Sequence, residues 1–245
     1  MSAQMLLQYF AGGGSLYHGR IINDTSGQPA AVVTGSYASG GALPWDIRGR
    51  RVWIAVALAS KRGIDQSWNL SSGDTNYVDI ATIENPAINF QLAANNTSAD
   101  GTGQYVSSLS TEAHMDGSFM YSPAVKNSKE LTSAILAHNA NYMAAKFCRA
   151  VTLANGFGAM DLPSIDVLMR IYQARTVIDS LDSTATANAA KKLTAWGFGS
   201  ADGASVWSAS ESSYIGAWAV LPDGSLLGDS KNYRFGCVPV LEIPA

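Results

Sequence analysis

Serine, tyrosine, asparagine and aspartate crowd one stretch of this chain, residues 206–240, VWSASESSYIGAWAVLPDGSLLGDSKNYRFGCVPV. Tyr214, Trp218, Asp223, Asn232 and Tyr233 are the side chains there best suited to touch another molecule. Aromatic rings offer large, stiff contact area, and short polar groups adapt their hydrogen bonds to what they meet. The same composition also suits a plain solvated rim, and both readings stay open. Covalent chemistry would need a nucleophile, a base or a metal set. The three histidines, His18, His114 and His138, share no motif, and a packed or solvated imidazole accounts for each. No HExxH, GxSxG or P-loop pattern occurs. Cys148 and Cys237 are too few for a zinc site or a multi-disulfide scaffold, and at most form one pair. No catalytic residue, metal or cofactor is therefore expected.

The chain around these residues is 245 long, 47% hydrophobic and 14% charged, ample for a buried core. A net charge of −3 gives no pull toward nucleic acid or an anionic membrane, so neither is expected as a partner. No apolar run approaches the ~20 residues of a membrane span. The start, MSAQMLLQYFAGGG, lacks the basic residues and long apolar stretch of a secretory signal, so a soluble product of cytosolic translation is expected.

The elements that must position the stretch read as follows. Residues 1–50 are cut by glycine and proline into short pieces, with GRIIND and AAVVTGSY the plausible strands. Their apolar content favours an arm ordered against a partner or neighbouring subunit over a disordered leader. A domain is expected from residue 51 to 245, opening on the compact β-favouring run at 51–59. Residues 61–123 predict long loops with few short strands. Asn127 and Glu130 form a capping-box pattern ahead of a helix with Leu131, Ile135, Leu136, Met143, Phe147 and Val151 on one face, broken near His138–Asn141, with an asparagine capping the second piece. Ser164 caps a further helix whose Ile165, Leu168, Met169 and Tyr172 fall at helical spacing. TANAAKKLTAW (186–196) predicts a short third helix, and Pro222-Asp223-Gly224 a hairpin turn between strands.

Cys148 in AAKFCRA, Leu162-Pro163-Ser164 with Leu168, Trp207-Ser208-Ala209-Ser210-Glu211, Ala217-Trp218-Ala219-Val220, Asp223-Gly224 and Cys237-Val238 occur in a telling order. In that order they resemble the C-type-lectin-like fold, in the branch of Lcl-type C-terminal domains, sulfatase-modifying domains and variable receptor-binding proteins of phages. The resemblance implies an α+β fold: a twisted antiparallel sheet with two to three helices and long loops, preceded here by a β-rich arm. It implies that first and last strands lie side by side and that Cys148 comes close to Cys237, as a disulfide or as two buried thiols. Trp207 then reads as core; for Trp218 core and ligand platform both remain open. Sulfatase-modifying chemistry uses paired late cysteines where only Cys237 stands, and the Glu-Pro-Asn and Gln-Pro-Asp tripeptides of calcium-dependent sugar binding are absent.

The resemblance and the layout of arm plus display domain together suggest a non-enzymatic phage virion protein, of capsid-decoration or head-fibre type, assembled in the host cytoplasm as a homo-oligomer. Residues 1–50 would attach it to other virion proteins, and the 206–240 face would meet a host surface glycan or protein. A receptor-binding part of the tail apparatus is the alternative, followed by a bacterial adhesin or a degenerate sulfatase-modifying enzyme.

Overall fold

The computed structural model describes residues 16–38, 41–47, 50–77, 91–92, 119–120, 127–196, 204–212, 215–224 and 226–245. They form an α+β structure in which two five-stranded sheets and three α-helices do most of the packing. The first sheet contains β1 (Ile21–Asn23), β2 (Pro29–Thr34), β3 (Trp45–Ile47), β4 (Arg50–Ala57) and a strand from the end of the chain, Val240–Pro244. Its order is β1, β2, β4 and then Val240–Pro244, with β3 also paired to β4, and every pairing is antiparallel. The long opening strand and the last strand therefore lie side by side, matched over Val52–Val56 and Val240–Pro244. Two-residue periodicity explains why β4 is rich in valine, isoleucine and alanine. Val52, Ile54 and Val56 enter one core while Ala55 and Ala57 enter another on the opposite face.

The second sheet begins with β5 (Gly63–Ser67) and is completed late in the chain by β6 (Val206–Glu211), β7 (Gly216–Val220), β8 (Leu226–Ser230) and β9 (Arg234–Cys237); Val240–Pro244 is accordingly β10. Its order is β8, β7, β6, β9, β5, antiparallel except where Val206 of β6 meets Gly236 of β9. The expected hairpin turn at 222–224 joins β7 to β8, with Gly224 at φ +86, a conformation glycine adopts without strain. Short ladders, Ser36–Ala38 with Gly41–Leu43, Gln91–Leu92 with Phe119–Met120 and Thr152–Leu153 with Gly158–Ala159, stand outside the two sheets.

Three helices clad these sheets: α1 (Ser128–His138), α2 (Met143–Arg149) and α3 (Ile165–Leu181). The capping box is formed as expected, Asn127 Oδ1 accepting from Glu130 N and Glu130 Oε2 from Asn127 N. The break after His138 is also present, but no asparagine caps α2: Tyr142 holds that position, and Asn139 instead accepts from Asn141 N. At α3, Ser164 occupies the cap position while its hydroxyl bonds Asp166, so Asp166 Oδ1 and Ser210 Oγ take the N–H groups of Val167 and Ile165. Ile165, Leu168, Met169 and Tyr172 are all buried, in a core that draws Val32 and Ile54 from one sheet and Val206 and Val220 from the other. Leu131, Ile135, Ala145 and Cys148 of α1 and α2 form a second core with Trp68, Trp207 and Phe235.

Two further expectations need correction. Residues 186–196 do not form an α-helix; they make two 3-10 turns, Ala189–Lys191 and Leu193–Ala195. The cause is tertiary. Asp179 of α3 accepts from the backbone of Leu193 and Thr194, and the buried Arg62 guanidinium takes the carbonyl of Lys191 while pairing with Asp179 and Asp182, both at 3.1 Å. These bonds claim backbone groups that a helix would need for itself.

The second correction concerns the division at residue 50. Within the expected arm, β2 lies inside the first sheet between β1 and β4, and Ala30, Ala31, Val32 and Val33 are fully buried. One sheet spans the boundary drawn at residue 50. The short pieces have no core of their own because they share that of β4, Leu153, Phe157 and Met160.

Candidate functional site

Of the five expected contact residues, Tyr214 lies outside the described residues, and the other four do not fall together. Asp223 is exposed on the β7–β8 turn, whose Pro222 carbonyl accepts from the Tyr172 hydroxyl at 2.7 Å. Asn232 and Tyr233 sit on the β8–β9 turn, at the far end of the five-residue strand β8, roughly 15 Å away at strand rise. Trp218 lies mid-strand opposite Gly228, half-buried against the core of α3. The stretch thus presents two separate ends. Ser208 and Ser210, polar residues of the same stretch, are buried and structural: Ser208 Oγ donates to Trp218 O, and Ser210 Oγ serves the start of α3.

The Asn232–Tyr233 end is the more elaborate. Tyr233 is 43% exposed, and its ring lies 6.3 Å from that of Phe235, which in turn stacks 4.4 Å from fully buried Trp207. Trp207 Nε1 donates to Gln66 O, tying this column of rings to β5. An exposed ring is thereby held on a rigid support. Beside it Lys231 is buried, paired with Glu211, its ammonium 4.8 Å from the centre of the Trp68 ring. The Lys231 backbone fastens three segments together: its N–H donates to Ile215 O and its carbonyl accepts from Asn69 N. Leu70, Ile215 and Tyr233, all large apolar residues exposed by more than a third, thus lie on the three segments that the Lys231 backbone joins.

Trp68, Asn69, Glu211 and Lys231 carry this arrangement, and sequence reasoning did not single out their roles. Lys231 in GDSKNY reads as a solvated turn lysine, and its partner Glu211 is twenty residues away on another strand. Burial of that pair arises only once β6 and β8 flank β7.

Cys148 and Cys237 are both free and buried in the same core, one on α2 and the other on β9, with their thiols close enough to influence each other. Burial pushes the Cys148 thiol well above its usual range, so it stays protonated and unreactive at neutral pH. Nearby, Arg149 Nε lies 2.7 Å from Asp161 Oδ1. Burial outweighs the arginine and raises the Asp161 carboxyl to about 6. The folded state then holds this proton more tightly than the unfolded chain. The associated stability is complete below the unfolded value near 3.8 and is lost as pH rises through about 6. His18, whose value burial lowers, acts in the opposite sense, so a variant is needed to isolate the aspartate. From pH 4 to 7 the wild type should lose about 2 kcal/mol more stability than Asp161→Asn, as measured by urea unfolding. Parallel pH profiles for the two proteins would contradict the assignment.

Among the described residues, no group of three or more histidine, cysteine, aspartate or glutamate side chains is placed to hold a metal ion, and no helix is long and apolar enough to cross a membrane. Comparison with protein-family models, with curated proteins and with solved structures gave no match.

Proposed function

We propose that this chain is a non-enzymatic display protein of a phage particle, a C-type-lectin-like domain of capsid-decoration or head-fibre type that makes its contacts through the Asn232–Tyr233 end of the second sheet. The fold assignment is supported by the pairing of β4 with β10 and by the adjacency of Cys148 and Cys237. The contact role rests on one observation above others: Tyr233, exposed, is carried by the Phe235–Trp207 column. A preorganised aromatic residue loses little conformational entropy on binding. Attachment to other virion proteins is assigned to residues 1–50, of which 21–34 also supply two strands of the first sheet.

Replacing Tyr233 with alanine, alone and with Tyr214→Ala, should leave unfolding free energy within about 1 kcal/mol, the range of surface substitutions. The purified variants should need at least tenfold higher concentration than wild type to compete with particles for host cells or for the particle itself. Unfolding of Tyr233→Ala would make the tyrosine a core residue. Undiminished competition would remove the contact role.

A further inference from the structure

The loop after β5 encloses an unusual polar group. Asn69 is 1% exposed; its Nδ2 donates to Asp74 O and Asn76 O, which fixes the amide orientation, and its Oδ1 has no hydrogen-bond donor. Across the loop, Asn232 Oδ1 is also buried without a donor, and the Asn232 carbonyl takes Gly73 N at a long 3.4 Å. An acceptor buried without a donor is a standing penalty that a suitable donor removes. Asp74, which follows Gly73 in the same loop, adds a carboxylate whose Oδ1 accepts from Asn76 N. Lys231 cannot supply the donor, because its ammonium is drawn to Glu211 and the Trp68 ring. Residues 70–73, which follow Asn69, are exposed throughout, and Gly73 holds φ +79 with open space beside its Cα.

We propose that this loop covers a seat for a cationic side chain, the ammonium or guanidinium of a lysine or arginine on a protein partner. The incoming N–H groups satisfy Asn69 Oδ1 and Asn232 Oδ1, Asp74 balances the charge, and the apolar stem of the side chain rests against Leu70 and Tyr233. A site rich in acceptors and holding a carboxylate selects cations over neutral or acidic groups. The inference rests on the contact role given above to the same turn and names the chemistry of its partner.

The test titrates the full-length, isotope-labelled protein with penta-lysine and penta-arginine peptides while the side-chain amide signals of Asn69 and Asn232 are followed. Penta-glutamine, calcium chloride and methyl mannoside are titrated in parallel. Saturable shifts with the cationic peptides are expected, weakened at least tenfold by Asp74→Asn and by Asn232→Ala. Asn232→Ala should melt at or above the wild-type temperature, because it deletes a buried acceptor that the free protein leaves unsatisfied. Absent shifts, equal shifts with penta-glutamine, or shifts with calcium or the sugar instead would overturn the proposal, as would a lowered melting temperature for Asn232→Ala. If Tyr233→Ala impairs competition but no cationic peptide binds, this proposal fails and the contact role stands.

Discussion

Trp207→Ala should lower the free energy of unfolding by about 4 kcal/mol, the range for a fully buried large aromatic replaced by alanine. The side chain is completely buried, packs 4.4 Å from Phe235 and donates its indole N–H to Gln66 O. Truncation leaves a cavity between α1, α2 and the second sheet and removes the bond to Gln66 O. It also removes the support of Tyr233, so contact should weaken beyond what stability alone explains. Urea unfolding at neutral pH measures the first effect; a loss below about 1 kcal/mol would mean that the second core does not depend on this residue.

Deleting residues 1–45 should abolish cooperative unfolding altogether. The truncation removes β1, β2 and the first residue of β3, stripping β4 of its partner over Ile54–Ala57. It uncovers a core face that includes Ala55, Ala57, Leu153 and Met160. A flat calorimetric trace with raised dye binding is expected, whereas deletion of residues 1–15 spares both strands and should preserve the transition. A sharp melt in the 46–245 protein would show that β4 and β10 hold the sheet without β2.

Local pattern made much of the fold legible. The run at 51–59, the Asn127–Glu130 capping box and the spacing of Ile165, Leu168, Met169 and Tyr172 each encode their element within a few residues, and each is where expected. Where the outcome hung on distant partners, local pattern misled. The alanine and lysine content of residues 186–196 favours a helix, yet Asp179 and Arg62 draw that backbone into 3-10 turns. Glycine and proline breaks in residues 1–50 suggested a segment apart, but a strand as short as PAAVVT is stable once β4 pairs with it. The contact surface was legible as composition and not as geometry. Its five residues are close together in the text of the chain, but the two turns are separated by the length of β8, and the Glu211–Lys231 pair beneath Tyr233 left no local signal.

Labelling purified phage particles with antibody against this chain, viewed by negative-stain electron microscopy, bears most directly on the proposed role. Label distributed over particle heads, or on fibres projecting from them, is the expected result. Label confined to the tail tip would transfer the same contact surface to a receptor-binding protein, and particles without label, with the chain recovered only from the host-cell fraction, would contradict a virion role outright.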